Sequence, residues 1–334
     1  MANGKIIYPP MATRAVELDG AQSLSLNPAP AFNFGTADFC IDGLVNLSAG
    51  TAWPSLARKI IVGPGSGFGF AFDLTNRLLG LTIADASGSL SIYSNASAFS
   101  LSAWFWAACR VDRSGLATFF VNGVPAGSGS VAAKALTIDN SEPLKIGNLI
   151  TGSVGFVRMD VGRVLPDQWF VEEWDRIRYG LPVAIGDFPA LWRFGNSLAD
   201  DSEERYTLVL SGGDLVYGAG WPSADGPVTY QFEENFELGH EAGRLDSRDK
   251  QRALNKSSFS YDSGPSKKTF RLPFKNIPPK QAMVFEALWE GRLPFWFYPN
   301  ADKPAAGQFV LKAPPLFKSV FTDRVDADLD MEEA

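Results

Sequence analysis

His240 is the only histidine among 334 residues. One imidazole excludes a multi-histidine metal site and leaves a single candidate base for a serine or cysteine triad. No Gly-x-Ser-x-Gly elbow accompanies it, and Glu237-Leu238-Gly239-His240-Glu241 sets it among acids, as for a surface or interface histidine. Glycoside hydrolysis needs two carboxylates about 5 to 9 Å apart across the sugar bond. The acidic pairs are poorly placed for it. Glu172-Glu173 falls on an expected helix, Asp200-Asp201 and Glu203-Glu204 in a polar loop, and Asp328-Leu329-Asp330-Met331-Glu332-Glu333 in a terminal tail. Gly63-Pro64-Gly65-Ser66-Gly67 lacks the following Lys-Ser/Thr of a phosphate cradle and enters a strand rather than a helix. Cys40 and Cys109, the only cysteines, are expected as buried thiols in a reducing compartment. No catalytic, cofactor-binding or metal-binding residue is assigned, no cofactor is expected, and no ligand-binding set is named.

Binding chemistry has more candidates. Flat aromatic rings stack on the apolar face of a pyranose, and Trp53, beside Pro54 in an expected loop, is the tryptophan expected at the surface. Trp104, Trp106, Trp174 and Trp289 fall in strand or helix patterns and are expected in cores. Between residues 245 and 280 nine Lys/Arg stand against three Asp, with Phe259, Tyr261, Phe270 and Phe274 interleaved as stacking platforms for nucleic acid would be. Phe259 and Tyr261 follow strand alternation, so the rings are assigned to core and the charges to a solvated face. A net charge of −7 also disfavours nucleic acid and anionic membranes as partners. Residues 323–334 hold six acids and one Arg. A basic segment and an acidic tail in one module are self-complementary in a symmetric assembly, which favours a homo-oligomer.

The elements that must carry these residues are mostly strands. From residue 15 to about 164 short apolar–polar alternations are separated by Gly, Ser, Asn or Asp, the pattern of half-buried antiparallel strands. Phe39, Ile41 and Val45 share a face, and Gly67-Phe68-Gly69-Phe70-Ala71-Phe72-Asp73 sends three Phe to one side. Runs at 78–83 and 88–93 form a meander around the turn Asp85-Ala86-Ser87-Gly88. Asn122-Gly123 between Val121 and Val124 predicts a type I′ hairpin. A strand over 153–161 precedes a helix opened by Pro166 and ended by Gly180, with Phe170, Trp174 and Ile177 on one face. Strands resume at 190–194 and 206–210. A second helix follows Pro278-Pro279, with Ala282, Phe285, Leu288 and Trp289 on one face and Gly291 as its stop.

Length exceeds the usual limit of a single core, so two domains are expected. The fold class is mainly β, an antiparallel jelly-roll sandwich plus a smaller α+β C-terminal domain. The divisions are an N-terminal arm over 1–14, the jelly roll over 15–220, a linker over 221–225 and a docking domain over 226–334. The first twenty residues hold no signal-peptide core and nothing later approaches a membrane span, so the mature protein is expected to begin near Met1, without membrane insertion.

Trp104-Phe105-Trp106-Ala107-Ala108-Cys109-Arg110-Val111-Asp112, followed by Thr118-Phe119-Phe120-Val121-Asn122-Gly123-Val124, resembles the core of laminin-G-like and concanavalin-like jelly rolls. Ala37–Val45 is similar to that family's early strand, and Val157–Asp160 with the following helix to its closing strand and small helix. Leu44 stands where the family often has Trp, and neither an acidic calcium ladder nor the Glu-x-Asp-x-Glu strand of its hydrolases is seen. Residues 267–275, 288–291 and 294–297 resemble small modules of bacteriophage tail and virion proteins. The resemblance implies a non-enzymatic virion structural or adhesion protein, with the jelly roll as contact or receptor-recognition surface. Other virion or tail proteins and a host surface glycan would be its partners. A free lectin-like carbohydrate-binding protein is the alternative, and a glycoside hydrolase the second alternative.

Overall fold

A computed structural model of the chain describes residues 5–8, 14–48, 50, 53–61, 65–178, 183, 190–194, 198–199, 206–212, 214, 216–219, 228–231, 269–277, 279–290, 295–298, 307–311, 314–321 and 324–333. His240, the 221–225 linker, the acids at 200–204, and the basic segment up to Lys268 with Phe259 and Tyr261 lie outside them. The chain divides into two compact units, one of residues 12–174 and 184–224, the other of residues 1–11, 175–183 and 225–334.

After β1 (Lys5–Tyr8), the strands of the first unit are β2 (Arg14–Asp19), β3 (Ser23–Leu26), β4 (Phe39–Leu47), β5 (Ser55–Ile60), β6 (Gly67–Asp73), β7 (Leu78–Asp85) and β8 (Gly88–Tyr93). They continue as β9 (Trp104–Val111), β10 (Leu116–Val121), β11 (Val124–Ser130), β12 (Leu144–Asn148), β13 (Thr151–Val161), then helix α1 (Asp167–Arg178), β14 (Ala190–Arg193), β15 (Val209–Ser211) and β16 (Val216–Ala219). Two antiparallel sheets result. One runs β11-β10-β9-β4-β13-β2-β16, with β14 also on β13; the other runs β15-β3-β12-β5-β6-β7-β8. Sequence neighbours such as β2 and β3 lie in different sheets, so the chain crosses between layers as a jelly roll does.

The core between the sheets explains why these strands form. Phe68, Phe70 and Phe72 project into it from β6 while Gly69 and Ala71 occupy the other face. Phe39, Phe105 and Phe119 meet them from the facing sheet, with ring centroids 5.7 Å (Phe39–Phe68), 5.9 Å (Phe72–Phe105) and 6.4 Å (Phe70–Phe119) apart. Each such ring contributes on the order of 1.5–3 kcal/mol by leaving water. The expected hairpin is present: Val121 opposes Val124, and Asn122 and Gly123 have φ of 51° and 78°, both positive as a type I′ turn requires. Cys109 faces Ile41 in register and lies in the core, whereas Cys40 faces Arg110 on the opposite side of the sheet. Adjacent strands bring these thiols close in sequence register, but opposite faces keep them apart, and both are free and buried.

The second unit is a seven-stranded sheet in the order β17-β1-β19-β20-β22-β18, with β21 also on β22. Its further elements are β17 (Val228–Gln231), β18 (Thr269–Ile277), α2 (Pro279–Glu290), β19 (Phe295–Tyr298), β20 (Gly307–Leu311), β21 (Leu316–Phe321) and β22 (Arg324–Glu333). Phe285, Leu288 and Val284 of α2 share a buried cluster with Phe274, Phe297, Phe309, Leu329 and Met331. Two segments differ from the expectation. The expected N-terminal arm supplies β1, an interior strand between β17 and β19, because Lys5-Ile6-Ile7-Tyr8 satisfies its backbone there. The expected acidic tail is β22, in which Ala327, Leu329 and Met331 alternate with the acids and are buried. Register sets Arg271 of β18 opposite Asp330 and Lys318 of β21 opposite Asp326. One position of the expected basic segment, Arg271, is thus in backbone register with one of the expected tail, Asp330, within one chain.

Candidate functional site

The outer faces of the two sandwich sheets differ. α1 lies on the β4/β9/β10/β13 sheet, where Phe170 stacks on Phe120 at 3.9 Å and Trp169 lies 6.2 Å from Trp106. Beneath it, Arg158 of β13 faces Asp42 of β4 directly across the strands. The guanidinium donates to Asp42 Oδ2 (3.0 Å) and Oδ1 (3.0 Å) and to Glu173 Oε1 (2.7 Å), while Trp106 Nε1 donates to Asp42 Oδ1 (2.9 Å). Trp169 covers the guanidinium at 4.6 Å. Burial alone would lower the Arg158 pKa, but the two carboxylates override it and hold the cation charged. These acids are sealed and neutralised, so they serve to seat α1 rather than to face a substrate. Glu173, expected only as an acid of the helix's first half, is thereby the residue whose role the sequence concealed; Glu172 beside it is exposed.

The outer face of the other sheet carries two rows of side chains. One row, read through the register, is Ser25, Lys145, Arg58, Gly69, Thr82 and Ser91. The other is Asn148, Ser55, Ala71, Gly80 and Tyr93. Trp53, just before β5, lies across this second row. A Cβ on Gly80 would come 3.0 Å from the Trp53 ring and 3.2 Å from that of Tyr93, so glycine there is what lets both rings approach the strand this closely. The two rings stand 5.3 Å apart, tilted 49°, and remain 41% and 46% exposed. Rings of this size in mutual contact usually bury far more, so the pair is a platform rather than a fragment of core. Trp53 also adopts φ +52°, a left-handed conformation that a bulky side chain rarely takes and that costs on the order of 1–3 kcal/mol. At its foot Ser55 is 4% exposed, and its Oγ has no hydrogen-bond partner among the described residues. A buried hydroxyl left unpaired costs about 1–3 kcal/mol.

A cleft of about 280 Å3 opens at one end of the sandwich, lined by Phe99, Trp104, Phe105, Val121 and Asn122 with Ser97 and Ser100 at its edge. The oxygen of its amide is already engaged, since Asn122 Oδ1 accepts from Trp106 N at 2.9 Å. Among the described residues no group of three His, Cys, Asp or Glu is placed to hold a metal ion, and no helix is long and apolar enough to cross a membrane.

Trp53 is thus exposed, as its loop position led one to expect, and Tyr93 joins it. Trp106 is buried, and Trp104, Trp174 and Trp289 are partly so. Phe274 is in the second unit's core. Trp296, an exposed tryptophan on β19, was not singled out in the sequence.

Residues 18–158 match the family model of the concanavalin A-like lectin/glucanases superfamily. Among solved structures, a Ruminococcus gnavus sialidase carbohydrate-binding module bound to α2,3-sialyllactose is similar at 16% identity, covering 47% of this chain and 94% of its own, with a TM-score of 0.39. A putative carbohydrate-binding protein of Bacteroides ovatus is similar at 10% identity, covering 68% and 62%, with a TM-score of 0.46. A heptameric pentraxin of Limulus polyphemus is similar at 14% identity, covering 67% and 98%, with a TM-score of 0.41. No curated protein matches the chain. The matched segment, together with two facing antiparallel sheets crossed by the chain in jelly-roll order, identifies the first unit as a laminin-G-like, concanavalin A-like jelly-roll domain.

Proposed function

We propose that the jelly roll is a carbohydrate-binding module that stacks a sugar ring on Trp53 and Tyr93. The observation that carries this reading is the exposed ring pair lying over Gly80 on the one sandwich face that α1 does not cover. Aromatic rings exposed on a sheet match the apolar face of a pyranose, and the hydroxyls of Thr82 and Ser91 on the same face match its edge. The matched family, whose description names lectins and glucanases, supports binding of a saccharide. This lectin-like reading was the alternative to a virion role in the sequence. Binding without catalysis fits the sealing of Asp42 and Glu173 around Arg158. The test is a glycan array probed with the full chain and with Trp53→Ala. A defined set of glycans should bind the parent and lose at least about tenfold in affinity in the variant, a stacking loss of about 1.4 kcal/mol or more. A parent chain that binds no glycan sinks the reading.

The virion role is a second reading, favoured by chain order. Residues on both sides of the jelly roll, β1 and β17, pair in one sheet of the second unit, so the sandwich is an insertion carried by that unit. Such an order suits a base that displays a binding domain, and a particle-bound homo-oligomer would use it to present several copies. Light scattering gives the mass, and co-sedimentation with a particle preparation gives the docking; a monomer that never sediments would remove this reading and leave the first intact.

A further inference from the structure

Arg58 of β5 and Lys145 of β12 stand directly opposite each other on the outer face, one row away from the Trp53–Tyr93 platform. Like charges in direct cross-strand register are destabilising. Both side chains are half-buried, and no hydrogen bond or ion pair engages either among the described residues. The neighbours in the same row are Ser25 on one side and Gly69 on the other, so no carboxylate relieves the pair along the row. The fully buried cations of the unit all have partners. Arg158 has two carboxylates, Lys134 has Asp85 and Ser87 Oγ, Arg113 donates to the carbonyls of Gly35, Lys134 and Leu136, and Lys59 donates to Asn33 Oδ1 at 2.7 Å and Asn140 O at 2.6 Å. In a chain of net charge −7, an Arg–Lys pair in direct register with no carboxylate partner among the described residues stands apart from these.

Resting on the proposed saccharide reading, we infer that this pair is the anion subsite of the same face and that the ligand is an acidic saccharide, bound through a carboxylate or sulfate. A guanidinium and an ammonium side by side supply the paired and single donors that a carboxylate or sulfate accepts. Strand spacing puts the backbone of β5 two strands, about 10 Å, from that of β7, where Gly80 lies under the rings. Between them Gly69 and Ala71 leave the sheet surface low. One sugar of a chain can therefore stack on the rings while the acidic group of the same or the next sugar reaches the two cations. Bound anion converts the repulsion into two charge-assisted contacts.

The test is binding of the full chain to an immobilised set of neutral, carboxylated and sulfated oligosaccharides of matched length, with the parent, Arg58→Gln, Lys145→Gln and Trp53→Ala compared. Acidic members should bind tighter than neutral ones. Each glutamine variant should weaken them roughly tenfold or more, as expected for loss of a charge-assisted hydrogen bond. The carboxylated and sulfated arms tell which acid is used. Thermal midpoints of both glutamine variants should equal or exceed the parent's, because a repulsion has been removed; a clear fall in midpoint would show the cations to be structural and overturn the inference. Neutral glycans bound as tightly as acidic ones, lost in Trp53→Ala but indifferent to the glutamine variants, would overturn the acidic ligand and keep the saccharide reading. A parent that binds no member of the set overturns both.

Discussion

Arg158 shows how much one buried residue can hold together. Replacing it by Met removes the cation from between the buried carboxylates of Asp42 and Glu173, which should cost about 3–5 kcal/mol of sandwich stability in urea unfolding. Asp85 makes a contrasting case for pH. Burial pushes its pKa up, but the N–H and hydroxyl of Ser87, the Leu136 N–H and the Lys134 ammonium outweigh that and hold the carboxyl below its ordinary value. A depressed folded pKa means its contribution is present above the unfolded value near 4 and is lost as pH falls through the folded one. Asp85→Asn should therefore flatten the fall in stability between about pH 5 and pH 3, measured as urea midpoints against pH. Trp53 could be placed at the surface from its neighbour Pro54 alone, whereas Tyr93 could not. Its alternation with Leu90 and Ile92 is that of any half-buried strand, and only the arrival of Trp53 over Gly80 distinguishes it.

At the scale of elements, the Asn122-Gly123 turn was fully legible because positive φ at two consecutive positions is a demand that few residues meet. Its setting was not. A Cβ at Gly123 would come 2.8 Å from Trp174 Cβ and 2.9 Å from the Phe170 carbonyl oxygen of α1, so Gly123→Ala should strain both turn and helix. A loss of about 1–3 kcal/mol in chemical unfolding is expected, more than the turn alone would give. β22 teaches the opposite lesson. Six acids in residues 323–334, five of them on β22, suggested an acidic tail, yet Ala327, Leu329 and Met331 recur at the period of a strand. Charge count outweighed periodicity where periodicity was the better guide. β1 was too short to read at four residues; as an interior strand it must donate on both sides. Ile6→Pro should remove a ladder hydrogen bond and orphan a carbonyl, costing at least about 1–3 kcal/mol in the second unit.

For the whole molecule, two separate buried clusters imply two cooperative transitions on heating. Differential scanning calorimetry should resolve them, with Ile6→Pro lowering one and Arg158→Met the other; one merged transition shifted alike by both variants would contradict independent cores. Amino-acid sequence alone determined much of the jelly roll's strand pattern, the hairpin, both helices and the jelly-roll resemblance, because side-chain alternation, turn φ and helix entry signals are local properties written in adjacent residues. Tertiary structure alone decided the rest. Arg58 and Lys145 lie 87 positions apart in the chain, and three full strands, β5, β6 and β7, lie between Trp53 and the strand of Tyr93. Which of them share a face depends on strand order and register, set by the burial of the sandwich's whole apolar core at once rather than by any of these residues.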